Sequence, residues 1–166
     1  MSRLARRLLL VAGGALSMTV LAGCASIPFQ HPEARPVGVG LNGKGEIQFF
    51  APLCDGERVQ RVEVVDYDTF KPLWMASGPD QEISQGGRIT LGDAKQFKQV
   101  ETEGAPDDVP VIGVNIQFAD GSGAGIRIDR AAVPASISSN GNVLGYSGRE
   151  MSEQDFRARV RSEFCS

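Results

Sequence analysis

Histidine is almost missing from this chain. The single one, His31, lies in Ser26-Ile27-Pro28-Phe29-Gln30-His31-Pro32-Glu33-Ala34-Arg35-Pro36, where three prolines call for an extended tether. A residue in a tether does not easily join a preorganised active site. Ser-His-Asp chemistry, Cys-His chemistry and His-ligated zinc are therefore disfavoured. Cysteine is scarce as well. Cys24, Cys54 and Cys165 stand far apart, none in a C-x-x-C arrangement, which argues against a redox pair. Basic charge is short, with 17 Lys and Arg against 20 Asp and Glu. Nucleic-acid binders need a basic face to displace counterions, so nucleic acid is not an expected partner. Long apolar runs are also lacking. The run from Leu8 to Val20 is thinned by Gly13, Gly14, Ser17 and Thr19, and falls short of the ~20 residues a spanning helix needs.

What is present at the N-terminus has a clear order. Arg3, Arg6 and Arg7 precede the apolar run, and small residues close it. This is the tripartite pattern of a secretory signal peptide. The closing residues, Leu21-Ala22-Gly23-Cys24, resemble the lipobox of bacterial lipoprotein precursors at all four positions. The resemblance covers residues 1–24 only. It implies cleavage before Cys24, a diacylglyceryl group on its thiol, and attachment through that lipid to the extracytoplasmic face of the cell membrane. Each buried CH₂ contributes ~0.8 kcal/mol, so two acyl chains anchor stably where one is marginal.

Three segments follow from that resemblance: a signal peptide over 1–23, a lipidated N-terminus and Pro-rich tether over 24–36, and a single β-rich domain over 37–166. The mature chain would hold 143 residues, enough for one well-buried domain. Removing residues 1–23 takes away three arginines and no acid, which moves the net charge from −3 to −6. The resemblance also bears on the other cysteines. With Cys24 lipidated and the domain outside the cytoplasm, Cys54 and Cys165 are the one intramolecular pair left. A bridge would close a loop of about 110 residues and stabilise the fold by up to ~4–5 kcal/mol. Two buried free thiols are the alternative.

Beyond Pro36 the pattern is short and period-two. Val37, Val39 and Leu41 alternate with glycines. Asn42-Gly43-Lys44-Gly45 then turns the chain into Glu46–Ala51, a hairpin signal. Val59–Val65 places Val62 and Val64 on one face and Arg61 and Glu63 on the other. Asp66–Pro72 connects to a short strand at Leu73–Ala76. A loop bounded by Ser77-Gly78-Pro79 and Gln85-Gly86-Gly87 leads to strands at Arg88–Leu91 and Gln96–Glu101. Pro110–Phe118 is the clearest strand, with Ile112, Val114, Ile116 and Phe118 on one side. Asp120-Gly121-Ser122-Gly123 turns it into Ala124–Asp129, with Ile126 and Ile128 facing in. Weak strands are read around Ser136–Ser138 and Asn142–Tyr146.

The C-terminus changes period. Ser152 is a good N-cap, and Glu153 and Asp155 suit the positive end of a helix dipole. Glu153–Arg157 and Asp155–Arg159 are i,i+4 pairs, and Phe156, Val160 and Phe164 share a face. The expected fold is mainly β: an antiparallel β-sandwich with one short C-terminal helix that delivers Cys165 to Cys54. The order Cys54, Trp74, Cys165 invites an immunoglobulin-like architecture, although its spacing is too wide for the usual inter-sheet bridge.

Candidate chemistry is thin. Asp66-Tyr67-Asp68 and Asp107-Asp108 offer calcium-type oxygen ligands but no EF-hand spacing, and read better as solvated loops. Gly121-Ser122-Gly123-Ala124-Gly125 resembles a phosphate-cradling turn but leads into a strand, not a helix. Paired carboxylates would suit a glycosidase, yet no spacing selects two of them. Trp74 reads as core. Tyr67 and Phe70, beside two aspartates and Pro72, are candidates for a surface contact patch. No catalytic residue, metal ligand or cofactor is expected. The sequence points to an anchored, non-enzymatic binding or scaffolding module, with an envelope protein or a small ligand as its partner. The alternatives are a small-ligand or lipid carrier, or a carboxylate-dependent envelope hydrolase.

Overall fold

The computed structural model describes residues 35–102, 108–137 and 141–165. Cys24, His31 and Asp107 lie outside them. The described chain forms eleven strands and two α-helices. The strands are β1 (Arg35–Pro36), β2 (Gly38–Leu41), β3 (Ile47–Phe50), β4 (Val59–Asp66), β5 (Pro72–Pro79), β6 (Arg88–Thr90), β7 (Phe97–Thr102), β8 (Val111–Phe118), β9 (Gly123–Asp129), β10 (Asn142–Leu144) and β11 (Glu150–Ser152). The helices are α1 (Gln81–Gly86) and α2 (Glu153–Phe164).

Two sheets result. One has the order β1-β9-β8-β4-β5-β7, the other β11-β10-β2-β3-β6. Every pairing is antiparallel except β1 with β9, where Arg35 stands opposite Ala124 and Pro36 opposite Gly125. The fold is mainly β, with two packed sheets and a short C-terminal helix, as the alternation requires. One apolar cluster fills the space between the sheets. Val62, Val64, Trp74, Ile112, Val114 and Ile116 enter it from one sheet, and Val39, Phe49 and Ile89 from the other. The period-two positions of β8 (Ile112, Val114, Ile116, Phe118) are all fully buried. In β9, Ala124 and Ile128 are buried and Ile126 half-buried.

Helix α2 forms a third layer on the outer face of the five-stranded sheet. Phe156 and Val160 pack with Phe50, Val143 and Met151. The glycine of β2 explains the fit: a Cβ on Gly38 would stand 2.8 Å from the Phe156 ring. The Ser152 hydroxyl accepts from the Asp155 amide at 3.0 Å, and Glu153 pairs with Arg157 at 2.6 Å. Two details of the expected helix change. The Asp155 carboxylate is taken by the Ser152 hydroxyl at 2.7 Å, so Arg159 pairs with Glu163 instead. Phe164 is exposed, so the docking stripe is Phe156 and Val160.

Other departures have local causes. The segment expected to be a loop between residues 77 and 87 holds α1. Asp80 caps it by accepting from the Ile83 amide at 2.8 Å, and Gly87 ends it in the left-handed region at φ 65°. Six residues are too few to show a helical period, so only the caps signalled it. Any side chain at Gly87 would collide with the Ala51 carbonyl, 2.1 Å from an ideal Cβ. Strand β5 runs past Ala76 to Pro79 because β7 pairs with it, Ser77 opposite Gln99 and Pro79 opposite Phe97. In the stretch read as a strand near Ser136, Ser136 lies in a turn and Ile137 is helical, its amide donating to the Pro134 carbonyl at 3.1 Å. Arg35 and Pro36, read as the end of the tether, belong to the sheet.

Candidate functional site

The register defines two ends of the six-stranded sheet. The chain enters β1 beside Ala124, at the start of β9. Strand β9 ends at Asp129 opposite Val111, and Asp66 stands opposite Ile112. The β4–β5 hairpin is therefore at the far end. Seven strand residues separate the two ends, roughly 20 Å at ~3.3 Å per residue.

The entry end is tightly knit. The Arg35 guanidinium is buried, makes a two-pronged ion pair with Glu57, donates to the Pro52 carbonyl at 3.3 Å and lies 4.9 Å from the Phe118 ring centre. Glu57 also accepts from the Cys54 amide at 2.7 Å. The hydrogen bond from Arg35, helped by the Cys54 amide, holds the Glu57 carboxyl below its usual value despite burial. Cys54 is disulfide-bonded to Cys165, with Cα atoms 5.5 Å apart. The bridge ties the end of α2 to the segment between β3 and β4 and does not join the two sheets. The immunoglobulin-type bridge is absent, while Trp74 does sit in the core, edge-on to Phe97 at 5.5 Å. Its indole N–H has no hydrogen-bond partner among the described residues.

The far end is built differently. Asp66 organises the hairpin: its carboxylate accepts from the amides of Asp68 and Thr69 at 2.9 and 3.1 Å, and its carbonyl from the Phe70 amide at 2.8 Å. Those amides, Thr69 first, lower the Asp66 pKa although the side chain is open to water. The carboxylate is thereby engaged within its own turn. No cluster of three metal-ligating side chains occurs among the described residues. Phe70 closes the turn at φ 57°, the one non-glycine with positive φ among the described residues. It is half exposed, at 50%. Its ring lies 6.3 Å from that of Tyr67, and the Arg127 guanidinium sits 5.0 Å from the Tyr67 ring centre.

The two aromatic candidates are thus neighbours, and Arg127 is a third member that the sequence did not single out. The alternation of β9 places it on the face opposite Ile128; its meeting with Tyr67 depends on the β8–β9 register. The Gly121–Gly125 stretch is the β8–β9 hairpin, with Ser122 bonded to Asp120. Compared with known proteins, the chain matches no family model, no curated protein and no solved structure. The function has to be argued from the residues themselves.

Proposed function

We propose that this protein is a membrane-anchored lipoprotein of the cell envelope, held by lipid on Cys24, and that its domain is a non-enzymatic binding or scaffolding module. The contact surface is Tyr67, Phe70 and Arg127. The observation that carries this reading is Phe70. A side chain at positive φ costs roughly 1–2 kcal/mol, and glycine would occupy the position without that cost. A large apolar ring kept there, half exposed, is better explained by contact than by folding. Its location fits the anchor. The tether joins the sheet at the opposite end, so the hairpin is presented away from the bilayer.

The alternatives have less support. A carrier needs an empty interior, and the space between these sheets is occupied by Trp74, Phe49, Phe118 and their neighbours. A carboxylate-dependent hydrolase needs two acids placed together, and Glu57 is already engaged by Arg35 and Asp66 by the amides of its own turn.

Two measurements test the reading. Radiolabelled palmitate should enter the wild type and be lost in Cys24→Ala; labelling that survives removes the anchor. A photo-crosslinker at position 70 in intact cells should give a discrete adduct that the same group at exposed Gln60 does not. Identical products from both positions would remove the contact surface.

A further inference from the structure

Three large apolar side chains are exposed among the described residues: Phe70, Tyr146 and Phe164. Phe70 belongs to the far hairpin. The other two gather at the entry end of the domain, around the last turn of α2. The disulfide fixes Cys165 beside Cys54, so Phe164 stands next to the segment that holds Arg35. Arg161, in the same turn, donates to the Leu53 carbonyl at 3.3 Å. Tyr146 arrives from another direction. Leu144 stands opposite Val39 in an antiparallel pair, so the chain after β10 runs back toward the start of β2. There the Tyr146 hydroxyl donates to Glu163 at 3.2 Å and accepts from Arg159 at 2.8 Å.

Both rings are held before any partner arrives. The Arg159 guanidinium lies 5.3 Å from the Tyr146 ring centre and is itself paired with Glu163 at 2.9 Å. The disulfide and the Arg161 hydrogen bond hold the turn that carries Phe164. The charges at this end cancel: Arg58, Arg159 and Arg161 against Asp55, Asp120 and Glu163. Exposed aromatic rings without net charge around them suit the headgroup boundary of a bilayer, where side chains with an apolar body and a polar tip concentrate. Ten residues separate Cys24 from Arg35, a reach of at most roughly 35 Å. Lipid on Cys24 would keep a bilayer within that distance of this end.

We propose that Tyr146 and Phe164 seat the domain on lipid, their rings entering the headgroup boundary of the bilayer that carries the Cys24 anchor. The seat depends on the lipid anchor proposed above. Two weak contacts suffice, because the tether makes the second binding event intramolecular and raises the effective concentration of the surface. Seating also turns the Tyr67–Phe70 hairpin toward the solvent side.

The test places a benzophenone amino acid at position 146, 164 or 70 of the full chain, acylated in the cell and reconstituted in vesicles of phosphatidylethanolamine and phosphatidylglycerol. Intact mass reads acylation first. A chain without acyl groups removes the anchor and the seat together. On the acylated chain, phospholipid adducts are expected from positions 146 and 164 and not from 70. Reciprocal variants separate seating from mere proximity: Phe164→Ser should lower the adduct at 146, and Tyr146→Ser the adduct at 164, by about fivefold each. Both side chains are exposed, so neither variant opens the core. Adducts that ignore the variants, adducts from all three positions, or none at all would overturn the seat and leave the anchor standing. So would a product of twice the chain mass from 146 or 164, which assigns the surface to a second copy.

Discussion

The two ends of the six-stranded sheet are built to opposite rules. At the entry end charged groups are paired: Arg35 to Glu57, Glu57 to the Cys54 amide, and Cys54 to Cys165 by a covalent bond, although the buried Arg35 Nε has no hydrogen-bond partner among the described residues. At the far end an aromatic side chain is exposed and held in a backbone conformation that disfavours it. The first arrangement resists unfolding where the chain enters the sheet. The second keeps an exposed ring at a backbone cost. The ion pair and the proposed contact surface are thereby about 20 Å apart, and a change at one end should leave the other intact.

The comparison is broken most severely by removing the bridge. Cys54→Ser with Cys165→Ser is expected to lower unfolding free energy by about 4 kcal/mol, because the loop of 111 residues is no longer closed in the unfolded chain. Urea denaturation measures this, and a loss under about 1 kcal/mol would mean the bridge is dispensable. Next is Arg35→Ala. It strands a half-buried carboxylate and should cost about 3 kcal/mol by the same assay, with the hairpin's crosslinking unchanged.

Acid should act on the same end. The folded Glu57 pKa lies below its ordinary 4.5, so its contribution is complete above that value and is lost as pH falls through the lower, folded one. Asp66 and Asp120 titrate with the same sign, so the comparison must be made against Glu57→Gln. Between pH 6 and pH 3 the wild type should lose more stability than Glu57→Gln. Equal losses would place the acid sensitivity elsewhere.

The smallest effect separates the two ends most sharply. Phe70→Gly relieves ~1–2 kcal/mol of backbone strain and adds ~0.5–1 kcal/mol of unfolded-state entropy, so the fold should be stabilised by about 0.5 kcal/mol. A slight gain in stability with a lost partner contact is the expected pairing in this variant. A destabilised Phe70→Gly would make the ring a structural residue.

Much of the fold was legible because burial imposes a period. Strand β8 alternates without a break, and each of its four apolar positions is fully buried. Ser152 with two acids after it marked the start of α2 correctly. Legibility failed where a partner strand or a side chain overrode the local signal. Strand β5 continued through Ser77-Gly78-Pro79 because β7 supplied the pairing. Val65 is buried beside Val64, against the alternation, where the pairing of β4 with β5 shifts register between them. The contact patch was half legible. Tyr67 and Phe70 are close in sequence, whereas Arg127 reaches Tyr67 only through the sheet.

The sequence by itself determined the β-rich class and the helical end. Those properties depend on short-range period and capping, whereas the Cys54–Cys165 pair was expected only through the lipobox resemblance at Cys24. Tertiary structure decided that Arg35 starts the sheet and does not end a tether, because its ion pair with Glu57 spans 22 residues. It also decided that Lys44, Lys95 and Arg130 line one cleft. No local pattern links residues that distant in sequence, since only the packing of separate loops makes them neighbours of the same space.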